Sequence, residues 1–313
     1  LPIYLKIPYG PAATQYPDHS ANRQLGVTGR SVNWLKLMSQ KLNENGGKIM
    51  TDTRAQEFIR DKAGNIVGVK ATMTNGQKID FSAKSVVLAS GGYGANRAML
   101  PKKVASYLFY GLDSETGDGL AMGKKIGAGT INLDLVKQYP QGVETLPHHA
   151  LAATASSTDT MKKSGAIYVN RDGKRIVDEL AGLGTLTKIT EAQKDSIMYI
   201  VMDKAAWKQY VAKSLEDKLV AAPSDLDKWA KIVNNGYPVM ATSAKLADAA
   251  KTMGINAKGL QATIDRWNGF VKAGADKDFG RKVLMPFGEG PYYIVEQKPR
   301  FQTTLGGLKA NAD

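Results

Sequence analysis

Few side chains in this sequence can carry out chemistry unaided. Cysteine is absent, which excludes disulfides, thiolate metal sites and thiol nucleophiles. Histidine occurs at His19 and in the pair His148–His149. Adjacent residues on a strand point to opposite faces, so that pair is a poor clamp and no metal site is expected. What remains is hydroxyl, carboxylate and lysine groups, plus two glycine-marked segments able to hold a larger ligand. The first is Ser90-Gly91-Gly92-Tyr93-Gly94, following the apolar run Val86-Val87-Leu88-Ala89. Without Cβ atoms the backbone there can approach a bulky ligand closely, as at the carboxyl ends of strands in open α/β sheets; the alternative is a plain strand-to-turn connection. The second is Thr116-Gly117-Asp118-Gly119, where Asp118 either contacts such a ligand or serves only as a helix N-cap.

The elements that must position these segments follow from periodicity and punctuation. Residues 1–30 read as irregular, with Pro2, Pro8, Pro11 and Pro17 and several glycines. A helix is expected from Ser31, as N-cap, to Asn45, with Leu35, Met38 and Leu42 on one face, Trp34 beside them, and Gly46–Gly47 as its stop. Short strands are expected at 48–50, 55–59, 65–73, 77–81 and 84–90, with turns at Asp61–Asn65 and Asn75–Gly76, where Asn and Gly tolerate positive φ. The continuous apolar run at 86–89 reads as a buried parallel strand. A helix follows Asp118 and ends at Gly127. Residues 141–165 read as polar loops, before a strand–turn–strand at Ala166–Val169 and Arg175–Val177 around Asn170–Gly173. Helical and mixed segments run from Glu191 to Lys272, the last of them amphipathic, with Leu260, Ile264, Trp267 and Val271 on its core side. The chain reads as α/β, with a boundary near 130–140 and a return to the first domain near 290–300.

Composition sets the outer bounds. A chain of 313 residues suffices for one large domain or two smaller ones. The formal net charge is +13, but the basic residues are dispersed, in pairs such as Lys102–Lys103 and Lys162–Lys163, without a long basic run or a nucleic-acid module. Dispersed charge of this kind reads as a solvated surface that helps attract an anionic substrate. No stretch reaches the roughly 20 apolar residues of a membrane span, and the N-terminus lacks the pattern of a signal peptide. Without an initiator Met, the chain reads as a mature or truncated piece.

Five segments, taken in order, resemble a known family: SVVLASGGYGANRAM (85–99), ETGDGLAMGKKIGA (115–128), GAIYVNRDGKRIVDE (165–179), EGPYYIVEQKP (289–299) and TTLGGLKAN (303–311). They are similar to the flavoproteins of the fumarate reductase and succinate dehydrogenase family, especially the soluble flavocytochrome branch, which includes urocanate reductases and other reductases of α,β-unsaturated carboxylates. 3-Ketosteroid dehydrogenases are more distant. The resemblance runs from about residue 20 to residue 313. It implies the distal part of a doubly wound FAD-binding domain (1–135), an α+β capping domain (136–295) and a truncated return to the FAD domain (296–313). The family's G-x-G-x-x-G fingerprint does not occur in the chain. Its backbone amides normally hold the flavin pyrophosphate at a helix N-terminus, so the isolated chain is expected to bind FAD weakly or not at all.

The resemblance also implies roles, position by position. FAD is the implied cofactor, with Ala55, Ala89, Gly91, Gly92, Gly117, Asp118, Gly306 and Gly307 at flavin-contacting positions. The family's substrate-binding His falls at Tyr139 in Lys137-Gln138-Tyr139-Pro140-Gln141, and a Tyr there is like the urocanate type. Asp159 matches an acidic residue of the family's proton pathway, with Lys162 where that pathway has an Arg. A second substrate-binding His falls at Thr303, beside Thr304 of the Thr-x-Gly-Gly motif. The family's proton-donating Arg falls at Leu183, which can neither donate a proton nor bind a carboxylate; either Tyr139 or a lysine such as Lys188 then supplies the proton, or the reaction differs. The implied reaction is hydride transfer from flavin N5 to the C=C bond of an unsaturated acid, an aryl acrylate rather than fumarate. The implied partners are that small acid and an electron-donor domain or cytochrome, in the periplasm or cell envelope, without nucleic acid or membrane insertion. Two other readings stay open: a flavin dehydrogenase of a ketone or steroid, with Tyr139 and a second Tyr as acid and base, and a piece that binds substrate or partner without catalysis.

Overall fold

The computed structural model describes residues 9–11, 25–27 and 30–311, with side chains from Val32 onward. Most of the irregular segment expected at 1–30, His19 included, lies outside them; Tyr9–Pro11 and Leu25–Val27 pair as short antiparallel strands. The chain is mixed α/β and divides into two compact units, Leu1–Leu88 and Ala89–Asp313.

In the first unit, a helix spans Arg30–Glu44. Ser31 is therefore inside the helix and is not its N-cap. The apolar face expected to be core is exposed, Leu35 at 63% and Leu42 at 45%. Three antiparallel strands follow, Thr53–Arg60, Ile66–Met73 and Lys78–Ser82. Their turns form as the Asn and Gly residues predict: the Asn65 amide donates to Asp61 Oδ1 at 2.8 Å, and Gly76 takes φ +85°. Residues 48–50 and 84–90 are not strands. The apolar run at 86–89 is unpaired, with Val87 88% exposed. A parallel strand gains its ladder from flanking strands, and among the described residues none pairs with this run.

The second unit is built on a mixed sheet around the long strand Tyr292–Thr304. Its first half pairs antiparallel with Met198–Met202, which pairs with Ile167–Val169, and with Met240–Ser243. Its second half pairs parallel with Leu108–Phe109 and antiparallel with Val136–Leu146. Because Leu108–Phe109 pairs with His149–Ala152, and that strand with Val136–Leu146, these four strands close a ring. Side chains alternate across a strand, and the two faces bury separate cores. Met198, Ile200 and Met202 pack with Leu186 and Tyr210 on one side. Ile197, Tyr199 and Val201 pack with Leu260, Ile264 and Trp267 on the other. The amphipathic helix spans Ala257–Ala273, where the Asn256 side chain accepts from the Gly259 amide at 3.0 Å and Gly274, at φ +71°, closes the end; Trp267 is core, as expected.

Residues 141–165 are not loops. They complete the strand Val136–Leu146, form His149–Ala152, and build a helix at Thr154–Lys163. Several of their polar residues, Gln141, Ser156, Ser157, Thr160 and Ser164, are buried, which hides the helix and strands from a hydropathy reading. Gln141 Nε2 donates to the Tyr168 hydroxyl, Ser214 Oγ to Ser156 Oγ, and Thr160 Oγ1 to the Ser156 carbonyl one turn back. The turn Asn170–Gly173 is as expected, with Asn170 Oδ1 accepting from the Asp172 and Lys174 amides. Beyond it only Arg175 bridges back to Val169, so the second strand of that hairpin does not form.

The reason is that Arg175 turns inward. Its guanidinium makes two 2.7 Å bonds to Glu179 and one of 2.9 Å to Asp276. Arg281, fully buried, donates to Glu179 and to the carbonyls of Ala166, Ser164 and Met161. Both guanidinium carbons lie within 5 Å of the Trp267 ring centroid, at 4.7 and 4.9 Å. This cluster ties the helix Thr154–Lys163 to the segment after Ala273.

Candidate functional site

The glycine turn at 91–94 and the end of the long strand are joined by hydrogen bonds. The Tyr93 amide donates to Thr304 Oγ1 at 3.4 Å, and the Gly117 amide to the Gly92 carbonyl at 3.1 Å. The Ala95 amide donates to the Glu115 carbonyl at 3.0 Å. Gly92 must be glycine here because a Cβ would stand 2.4 Å from Thr304 Oγ1. Gly117 is the N-cap of the helix Asp118–Lys125 at φ +81°, where a Cβ would also meet Met99 and Tyr93. Asp118 is therefore not the N-cap; it lies in the first turn and accepts from Thr116 Oγ1 at 3.0 Å.

Beside this turn is a group the sequence did not single out. Glu115 Oε2 is buried and has no hydrogen-bond partner. Burial pushes its carboxyl above the usual glutamate value, because the charged form loses solvation. The same oxygen lies 3.4 Å from the position of a Cβ on Gly92.

Tyr139 sits on Val136–Leu146, directly across the strand pair from Arg300. Thr303 pairs with Lys137 and Thr304 with Val136 on the same two strands. Tyr139 is half-buried, Thr303 exposed and Thr304 buried. The Arg300 guanidinium is 4.3 Å from the Tyr139 ring centroid and 4.9 Å from that of Tyr110. Strand register thus gathers Tyr139, Thr303 and Thr304, and Thr304 ties them to Gly92 and Gly117.

The other expected residues lie on several elements. Asp159 lies on the helix Thr154–Lys163, paired with Lys163 at 2.9 Å. Leu183 is the first residue of the helix Leu183–Glu191 and half-buried; Lys188, in its last turn, is exposed. Ala89 and Gly91 are exposed, Gly91 at φ +74°. Gly306 packs against the Asn132 backbone, and Gly307 pairs with Ile131. Ala55 belongs to the other compact unit, opposite Ala71 on its sheet. Arg300, Tyr110 and Glu115 were missed. Glu115 directly precedes Thr116–Gly119, which was a usable signal; nothing in the sequence separates Arg300 from the many other basic residues. Among the described residues no group of three or more His, Asp or Glu could hold a metal, and no helix is long and apolar enough to cross a membrane.

A family model described as an FAD binding domain matches residues 12–313. Urocanate reductase from Eggerthella lenta is 32% identical over 307 residues, covering 95% of this chain and 48% of that protein. NADH:acrylate oxidoreductase from Vibrio harveyi is 28% identical over 291 residues, covering 90% of this chain and 27% of that protein. In fold, the chain matches the open conformation of a flavocytochrome c3 fumarate reductase with a TM-score of 0.73 at 24% identity, over 95% of this chain and 50% of that one. The chain spans about half the length of the first of these relatives and about a quarter of the second.

Proposed function

This chain belongs to the FAD binding domain family, and we propose that it is part of an FAD-dependent oxidoreductase that reduces the C=C bond of an α,β-unsaturated carboxylate, an aryl acrylate in preference to fumarate. The observation that carries this reading is the meeting at Thr304 of the glycine turn 91–94 with the strand pair bearing Tyr139 and Thr303. A cofactor strip and a substrate-binding row would then share one hydroxyl. The names of two relatives, a urocanate reductase and an acrylate oxidoreductase, support the substrate class. The same reading divides the chain into FAD-domain residues 1–135, a capping domain at 136–295 and a return at 296–313.

The residues present fit the cofactor. An orphaned, buried carboxylate oxygen on Glu115 beside exposed glycine backbone suits a ligand with hydroxyl and ring N–H donors, which a flavin has. Glu115, Gly91, Gly92 and Gly117 would hold it. In the whole protein of which we propose this chain is part, Glu115→Leu is expected to weaken FAD binding roughly 10–100-fold and Glu115→Gln, which keeps an acceptor, by less than about 5-fold; flavin fluorescence quenching measures both.

When bound, FAD supplies the hydride. The chain's own part is to bind the acid, align its alkene and deliver a proton to the second alkene carbon. We assign the proton to the Tyr139 hydroxyl and a substrate hydrogen bond to Thr303, while Thr304, on the opposite face of the strand, joins that strand to the glycine turn. Asp159 would relay protons from solvent along its helix, whose first residue, Thr154, bonds to Arg300. We assign the reduction of the flavin to an electron-donor domain or cytochrome. We place the whole protein in the periplasm or cell envelope.

A second reading is favoured by the pair Tyr110 and Tyr139 beside one guanidinium: desaturation of a ketone with the two phenols as acid and base. Anaerobic turnover decides. A reduced dye consumed on adding aryl acrylates supports the first reading. Reduction of an oxidised dye by a saturated cyclic ketone, with no acrylate turnover, supports the second.

A further inference from the structure

Arg300 is buried, at 4% exposure, yet no carboxylate among the described residues is within ion-pair distance of it. Its neighbours show how unusual that is in this unit. Lys298, two residues earlier, lies between Glu144 at 2.6 Å and Glu296 at 3.0 Å. The buried Arg175 and Arg281 share Glu179. Arg300 instead has two tyrosine rings, a 3.3 Å bond from Nε to the Gln141 carbonyl, and a 3.0 Å bond from Nη2 to Thr154 Oγ1. Nη1 is buried and makes no hydrogen bond.

A purely architectural role accounts for Nε and Nη2, which tie two elements together. It does not account for Nη1 or for the missing counter-charge. Cation–π contact offsets only part of the cost of burying a charge, and burial lowers the guanidinium to about 10. The guanidinium fork matches a carboxylate in two-pronged geometry. Tyr110, whose ring centroid lies 4.9 Å from the guanidinium, is 40% exposed, so the wall of the Arg300 site on that side reaches solvent.

We propose that Arg300 is the substrate-recognition residue that receives the carboxylate of the unsaturated acid, with the Tyr139 and Tyr110 rings flanking the aryl–alkene part. The proposal rests on the assignment of Tyr139 to the substrate site. The carboxylate supplies the counter-charge that the protein lacks, and one neighbour, Tyr139, both stacks on the anion receptor and reaches the alkene.

The test uses the whole flavin-loaded protein of which this chain is part, with 3-phenylpropanoate and its primary amide, neither of which can be reduced, titrated calorimetrically. Wild type is expected to bind the acid on the order of 10–100-fold tighter than the amide. Arg300→Met should bring that ratio to near unity and leave amide affinity within about 3-fold. Arg300→Lys, which keeps the charge and loses the fork, guards against misfolding of the first variant; its thermal midpoint should stay close to wild type while the ratio falls about 10-fold. Unchanged acid preference in either folded variant overturns the proposal, as does a wild type without acid preference. Acrylate turnover by wild type is measured in parallel: its presence with an unchanged ratio in Arg300→Met defeats the role of Arg300 alone, and its absence defeats the proposed function.

Discussion

Replacing Glu179 with leucine is expected to destabilise the Ala89–Asp313 unit by about 3–5 kcal/mol. Glu179 is 2% exposed and accepts from Arg175, Arg281 and the Tyr168 amide. Without it, two buried guanidinium groups beside Trp267 lose the carboxylate they share. Asp276 bonds to Arg175 and to the Arg281 amide, and cannot serve both cations equally. For a unit of this size the loss corresponds to a fall in thermal midpoint of roughly 6–20 °C. The surface pair Arg266–Asp278, whose Arg side chain is 62% exposed, provides the contrast: Asp278→Asn should cost no more than about 1 kcal/mol. Thermal unfolding followed by circular dichroism checks both. Equal shifts for the two variants would mean that the buried cluster does not hold the helix Thr154–Lys163 to the rest of the unit.

The second large effect concerns the chemistry. Under the proposed function, Tyr139→Phe should lower kcat for an aryl acrylate by about 10²–10⁴-fold, the contribution of a positioned general acid, with KM changed little. Phenylalanine keeps a ring 4.3 Å from the Arg300 guanidinium, so folding and carboxylate binding should survive. Steady-state kinetics with a reduced dye measure the split. A kcat within about 3-fold of wild type would return the proton to another donor, with Lys188 and Asp159 next in line.

Legibility in the sequence varied with the physics of each segment. Turns at Asp61–Asn65, Asn75–Gly76 and Asn170–Gly173 could be read because positive φ and Asx hydrogen bonds are local demands. The helix Ala257–Ala273 could be read because its buried face is apolar throughout. Val136–Leu146 and Thr154–Lys163 could not, because Gln141, Ser156, Ser157 and Thr160 bury polar groups against other polar groups. The opposite error arose at Val86–Ala89, where apolar composition alone suggested a strand that has no neighbour to pair with among the described residues. At the candidate site, Tyr139, Thr304, Gly92 and Gly117 were visible through motif order. Arg300 and Glu115 matter through what they lack, a counter-ion and a hydrogen-bond partner, and such a lack is visible only once the surroundings are folded.

The most direct test of the central claim is a single-turnover measurement. Flavin-loaded protein is reduced anaerobically and mixed with an aryl acrylate or with fumarate, and flavin reoxidation is followed by absorbance. Reoxidation by the aryl acrylate, faster than by fumarate, is the expected result. Fumarate acting as fast as any aryl acrylate would contradict the substrate assignment, and a flavin that no unsaturated acid reoxidises would contradict the function itself.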